Sequence, residues 1–158
     1  MEILALGKVM VAARIENLND LTKAEEGVLS QDQVRAIEVT DALIDTGAAM
    51  LSLPKRLVAQ LGLRRIRTRT AKTTAGIVSF DIYGPVRLTV QGRDCTIEAA
   101  EVPDDCPALI GQIPLELLDF VVDPVVPRLA SHPETWERVL YPQQLLSPLL
   151  VPVWCRVA

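Results

Sequence analysis

"ALIDTGAAMLSLP", Ala42–Pro54, carries one carboxylate, Asp45, out of a short apolar run and places Thr46, Gly47, Ala48 and Ala49 directly behind it. An acidic residue at the end of a β-prone segment, followed by a hydroxyl residue and a glycine, is ordinary turn chemistry. A carboxylate that does acid–base work must also sit on a rigid backbone. What the chain places on either side decides between the two.

On the N-terminal side, "KVMVAARIE" (Lys8–Glu16) alternates Val9, Val11, Ala13 and Ile15 with Lys8, Arg14 and Glu16, which predicts a half-buried first strand. The polar stretch Asn17–Gln33 reads as a long loop or hairpin tip. "VRAIEVTDALID" (Val34–Asp45) offers two β-prone runs broken near Thr40 and Asp41, the second ending on Asp45. On the C-terminal side, "LPKRLVAQLG" (Leu53–Gly62) predicts a short helix: Pro54 is tolerated in a first turn, Leu57 and Leu61 lie one turn apart, and Gly62 can end it. Four β-prone runs come next, "RRIRTRTA", "GIVSFDIYG", "VRLTVQG" and "CTIEAAEV", separated by Gly, Pro or charged residues. "PALIGQIPLELLDF" (Pro107–Phe120) carries a glycine and then a helical turn from about Pro114. "FVVDPVVPRLA" (Phe120–Ala130) reads as a hairpin. No internal repeat is present, and the apolar, proline-rich segment 135–158 reads as a tail behind a single domain, 1–134.

Composition sets the outer limits. A chain of 158 residues that is 49% hydrophobic can bury one core. A net charge of −4 argues against a dedicated nucleic-acid binder, which normally carries a basic excess. Cys95, Cys106 and Cys155 are odd in number and lack CxxC spacing, which suits a reduced compartment. "MEILALGKVMVAA" is interrupted as a signal peptide by Glu2 and Lys8, and "LLSPLLVPVW" is too short to span a bilayer, so a cytoplasmic protein without a membrane partner is expected. The single histidine, His132, reads as a surface turn residue and leaves no zinc cluster and no Ser-His-Asp triad. No glycine-rich phosphate motif occurs. Carboxylate chemistry remains.

The order of elements resembles the retropepsin-like aspartic proteases, the single-domain relatives of the retroviral enzymes, in a bacterial-type form. The residues that carry the resemblance are "ALIDTGA" (Ala42–Ala48), "ALIG" (Ala108–Gly111) followed by "IPLELLDF", and the intervening run "TTAGIVSFDIYGPVRLTV". Together they span roughly Lys8 to Ala130 in the family's order. The resemblance implies a mainly β, closed-barrel-like acid protease fold with one or two short helices and a flap hairpin. It implies that Asp45 is catalytic, with Thr46, Gly47, Ala48 and Gly111 supporting the site, and that Thr74, Ala75, Gly76 and Ile77 form a flap over a polypeptide substrate. Thr46 would reach across to a partner strand, and "ALIG" would cross behind the Asp45 loop. Because the chain has a single Asp-Thr-Gly, the second carboxylate must come from a second copy, giving a C2 homodimer. No metal or organic cofactor is required.

Two departures from the viral pattern stand out. Where the viral enzymes pair an aspartate and an arginine to brace the dimer, this chain has Ala49 and Gln112. Only Gly76 lies near the flap tip. The rival to an active endopeptidase is a catalytically inactive module that keeps the fold for dimerisation or peptide binding. "RRIRTRTAK" (Arg64–Lys72) reads as a solvated strand face, with attraction of acidic substrate segments or nucleic acid as the functional option. Met50, Leu51 and Leu53 read as core, while Ile77, Val78 and Ile113 could equally pack inside or line subsites.

Overall fold

The alternation of Val11, Ala13 and Ile15 with exposed neighbours becomes strand β1, Met10–Asn17, whose apolar side faces the core. The computed structural model of the chain describes residues 8–123 and 128–131. His132, Cys155 and the predicted tail 135–158, with its boundary at residue 134, lie outside the described residues.

Asn17 ends β1 and caps the next element in one step. Its side-chain oxygen accepts from the backbone N–H groups of Asn19 (3.0 Å) and Asp20 (3.2 Å), opening helix α1, Leu18–Glu25. The loop expected over Asn17–Gln33 is therefore corrected to a helix followed by a 3-10 turn, Gln31–Gln33. The helix is held by its underside: Leu21 and Asp20 are buried, and Asp20 is clamped by Arg35 through Nε (2.6 Å) and Nη2 (2.9 Å).

Strand β2, Ala36–Ile44, runs unbroken through Thr40 and Asp41. Its register against β1 pairs Ala13 with Val39 and Val11 with Ala42, so β2 carries one extra residue at the position that reads as a break. The feature is a β-bulge. After the Asp45 loop come β3 (Leu51–Pro54) and helix α2 (Lys55–Gln60), closed at Gly62 with φ +57°. Next in order are β4 (Arg65–Thr73), β5 (Gly76–Val90) and β6 (Arg93–Val102). The two runs expected on either side of Gly84–Pro85 are one strand, β5, with another extra residue: Tyr83 faces Ala99 and Val86 faces Ile97. Strand β7 (Leu109–Ile110), helix α3 (Gln112–Leu117) and the antiparallel pair β8 (Phe120–Val122) and β9 (Leu129–Ser131) complete the described chain.

The protein is mainly β. Seven strands form one sheet in the order β1-β2-β7-β3-β6-β5-β4, and an additional β1–β5 pairing closes it into a ring. Strand β4 stays outside that closure, bonded to β5 alone among the described residues. Ile15, Leu51, Leu53, Val86, Leu88, Val90 and Ile110 fill the ring interior, each at most 1% exposed. Met50 is only half-buried, at the rim. Phe120 seats β8 on the body, with the Arg93 guanidinium 4.9 Å above its ring.

Candidate active site

Strand β2 delivers Asp45 to the end of the sheet, and the loop 45–50 turns the chain back into β3. Between these two limbs runs β7. It lies parallel to β2, with Leu43 beside Leu109, and antiparallel to β3, with Leu51 beside Ile110. The loop is sewn to the end of β7 and to the first residues of α3. Asp45 N–H donates to the Ile110 carbonyl (3.0 Å), Gly111 N–H to Met50 (3.1 Å), Gln112 N–H to Ala48 (2.8 Å) and Ile113 N–H to Ala49 (3.0 Å). Asp45, Ala48, Ala49 and Met50 are thereby fixed by backbone bonds, which hold position better than side chains can.

Gly111 makes the threading possible. A Cβ there would lie 2.5 Å from the Met50 carbonyl oxygen and 2.6 Å from that of Ala48, so only glycine fits under the loop. Gly47 serves the carboxylate itself. Its N–H donates to Asp45 Oδ1 at 2.9 Å, and a Cβ there would stand 3.1 Å from the same oxygen. Asp45 is partly exposed, and Thr46 is exposed with no hydrogen-bond partner for its hydroxyl among the described residues. Asp45, Thr46, Gly47, Ala48 and Gly111 are thus brought together at one end of the sheet.

The second predicted group sits elsewhere, at the tip of the β4–β5 hairpin. Thr74 and Ala75 form its two-residue turn, Thr73 faces Gly76, and Gly76 adopts φ +120°. Thr73 Oγ1 donates to the Gly76 carbonyl (2.9 Å) and accepts from Ala75 N–H (3.2 Å). Ile77 is 77% exposed, so of the two alternatives for Ile77, Val78 and Ile113 core packing does not hold; all three are exposed. Gln112 donates through Nε2 to Glu116 Oε1 within its own helix at 2.8 Å.

One cleft has no local sequence signal. It is open, of about 480 Å³, and lies at the base of the same hairpin, lined by Lys55, Thr68, Phe80, Asp81, Glu101 and Asp104 among others, and by no residue of the Asp45 loop. The Asp81 carboxyl is held below its ordinary value chiefly by the Thr68 hydroxyl. The cleft gathers residues from separate segments of the chain, so spacing along the sequence does not reveal it. Cys95 and Cys106 are free thiols, and burial pushes the Cys95 thiol up to about 11. No set of three or more His, Cys, Asp or Glu is placed to hold a metal ion among the described residues. Among them, too, no helix is long and apolar enough to cross a membrane.

Comparison of the chain with models of known protein families and with curated proteins yields no match.

Proposed function

We propose that the chain is a retropepsin-like aspartic endopeptidase, active as a homodimer with one Asp45 from each copy. The observation that carries this reading is the threaded loop: an Asp-Thr-Gly turn whose two limbs straddle the "ALIG" strand, with Gly111 packed beneath the loop carbonyls. An ordinary surface turn needs no strand through it. Further support comes from Thr46, whose hydroxyl is exposed and has no partner among the described residues, and from Ile113 and Leu117, apolar and exposed one helical turn apart on α3, the helix that follows the threaded strand.

In the dimer the two carboxylates share one proton, because like charges about 3 Å apart cannot both ionise. The ionised Asp45 takes a proton from a water as the water oxygen attacks the scissile carbonyl carbon. The protonated Asp45 of the other copy hydrogen-bonds the carbonyl oxygen. On collapse of the tetrahedral diol the C–N bond breaks and the amine nitrogen leaves with a proton from the dyad. Gly47 N–H keeps the carboxylate oriented throughout. The β4–β5 hairpin serves as the flap, and the substrate is an extended polypeptide bound by strand addition.

The test is proteolysis of a complex peptide mixture across pH, read as new termini. Asp45→Asn keeps the shape of the side chain and removes the base, so it is expected to abolish cleavage while leaving the fold intact. The wild-type rate is expected to peak in the acid range, where the pair holds a single proton. A folded, dimeric wild-type protein that produces no new termini at any pH would assign the chain instead to non-catalytic peptide binding or dimerisation. A rate still climbing above about pH 9 would point to another nucleophile.

A further inference from the structure

The ring of strands leaves one backbone edge unused. Strand β4 pairs with β5 on one side only among the described residues, and its nine residues present roughly 30 Å of edge. Such an edge offers a row of unpaired N–H and C=O groups to any extended chain that matches it. The same edge concentrates positive charge in an otherwise acidic protein. Arg64, Arg65, Arg67, Arg69 and Lys72 are five of the chain's 16 Lys and Arg residues, and no Asp or Glu occurs from Arg64 through Phe80.

Part of this charge is already matched. Arg65 pairs with Asp81 at 3.5 Å, and Arg67 forms a two-pronged pair with Glu98. Arg64, Arg69 and Lys72 have no ion pair among the described residues, and the cross-strand neighbours of Arg69 and Lys72 are Phe80 and Ile77, which cannot supply one. The hairpin end beside them is apolar and exposed, with Ile77 at 77% and Val78 at 46%.

We propose that the free edge of β4 receives an extended acidic polypeptide segment as an added strand running toward the apolar hairpin tip, with carboxylates on one of its faces meeting Arg69 and on the other meeting Lys72. Main-chain bonding along the edge supplies affinity, and the charges select for acidic sequence. The inference names the substrate class of the proposed peptidase, and it rests on that reading only for the cleavage that comes after binding. Nucleic acid fits less well: a phosphate backbone cannot complete a β-ladder, and β4 holds no aromatic side chain for stacking. Guarding the edge against self-association would account for one or two charges, and leaves unexplained why the adjoining tip remains apolar.

The experiment uses the full chain carrying Asp45→Asn, so that nothing is cleaved, and fluorescence anisotropy of a labelled twelve-residue peptide of Glu, Val and Thr in which Glu occupies both odd and even positions. Saturable binding is expected, weakened at least about tenfold when Lys replaces Glu in the peptide. It should weaken similarly when alternate peptide amides are N-methylated, and in an Arg69→Glu/Lys72→Glu variant whose fold is checked by circular dichroism. Arg69→Lys/Lys72→Arg should retain binding. Equal binding of the Lys peptide, indifference to N-methylation, or tighter binding of a twelve-residue oligothymidylate would each overturn the proposal. So would a charge-reversed variant that merely aggregates while wild type binds no peptide. Binding that persists although the wild-type chain cleaves nothing would uphold the docking edge and dismiss the peptidase.

Discussion

At residue 111 the backbone passes so close to the Asp45 loop that the absence of a side chain is a geometric requirement. Gly111→Ala would push a methyl group against the carbonyl oxygens of Met50 and Ala48, neither of which belongs to a flexible side chain. The loop must open or β7 must shift, at a cost of about 3 kcal/mol. Urea unfolding is expected to show the lower midpoint, and a change within about 0.5 kcal/mol would mean that the loop yields freely. Asp45, Gly47 and Gly111 are legible as motif residues because the signal of each is local. What Gly111 touches has no local signal, since the loop carbonyls lie far earlier in the chain, and only the family resemblance implies that "ALIG" crosses behind the loop. Asp20 and Arg35 carry no such signal for a related reason: their pairing depends on α1, a helix whose sequence reads as a polar loop.

Among the elements, the places where sequence and structure part share a cause. Thr40–Asp41 and Gly84–Pro85 are turn signals by composition, and both mark one extra residue inside a continuous strand. The same local chemistry that ends a strand can bulge it, and the choice is made by the neighbouring strands that continue the ladder on either side. Helix α1 is decided in the same tertiary way, by its Asn17 cap and by Asp20. The Arg35 guanidinium, hydrogen-bonded to Asp20, holds that carboxyl below its usual value. A lowered value in the folded state means that the pair stabilises the fold above the unfolded value of about 4, and that this contribution fades as pH falls through the still lower folded value. Because Arg35 is half exposed, Asp20→Asn should cost about 1–3 kcal/mol at pH 7. The gap between variant and wild type should narrow as unfolding curves are taken progressively below pH 4. An equal gap at every pH would show that the charge has no part in holding α1.

The whole molecule presents apolar surface where a proposed second copy must dock: Ile113 at 46% and Leu117 at 54% on α3, and Val121 at 38% on β8. Of the valines on β8, Val121 faces outward and Val122 is half-buried, so Val121→Lys is the substitution that charges the surface without disturbing the body. It should yield an inactive monomer. For the wild type, specific activity should rise with concentration through the dimer dissociation constant and respond little to moderate salt, as apolar burial dictates. Sedimentation and activity across one dilution series decide it: undiminished activity per chain in a monomeric sample is incompatible with a site built from two halves. The threaded strand, finally, sets a clock. Asp45 is translated early, yet the hydrogen bonds that hold its loop come from Ile110 and the residues just after it. A growing polypeptide on the ribosome therefore carries its acidic residue unmounted until most of the described chain has emerged, and pairing across so long a separation is slow. A nascent chain therefore holds no assembled carboxylate loop of its own until that late segment arrives.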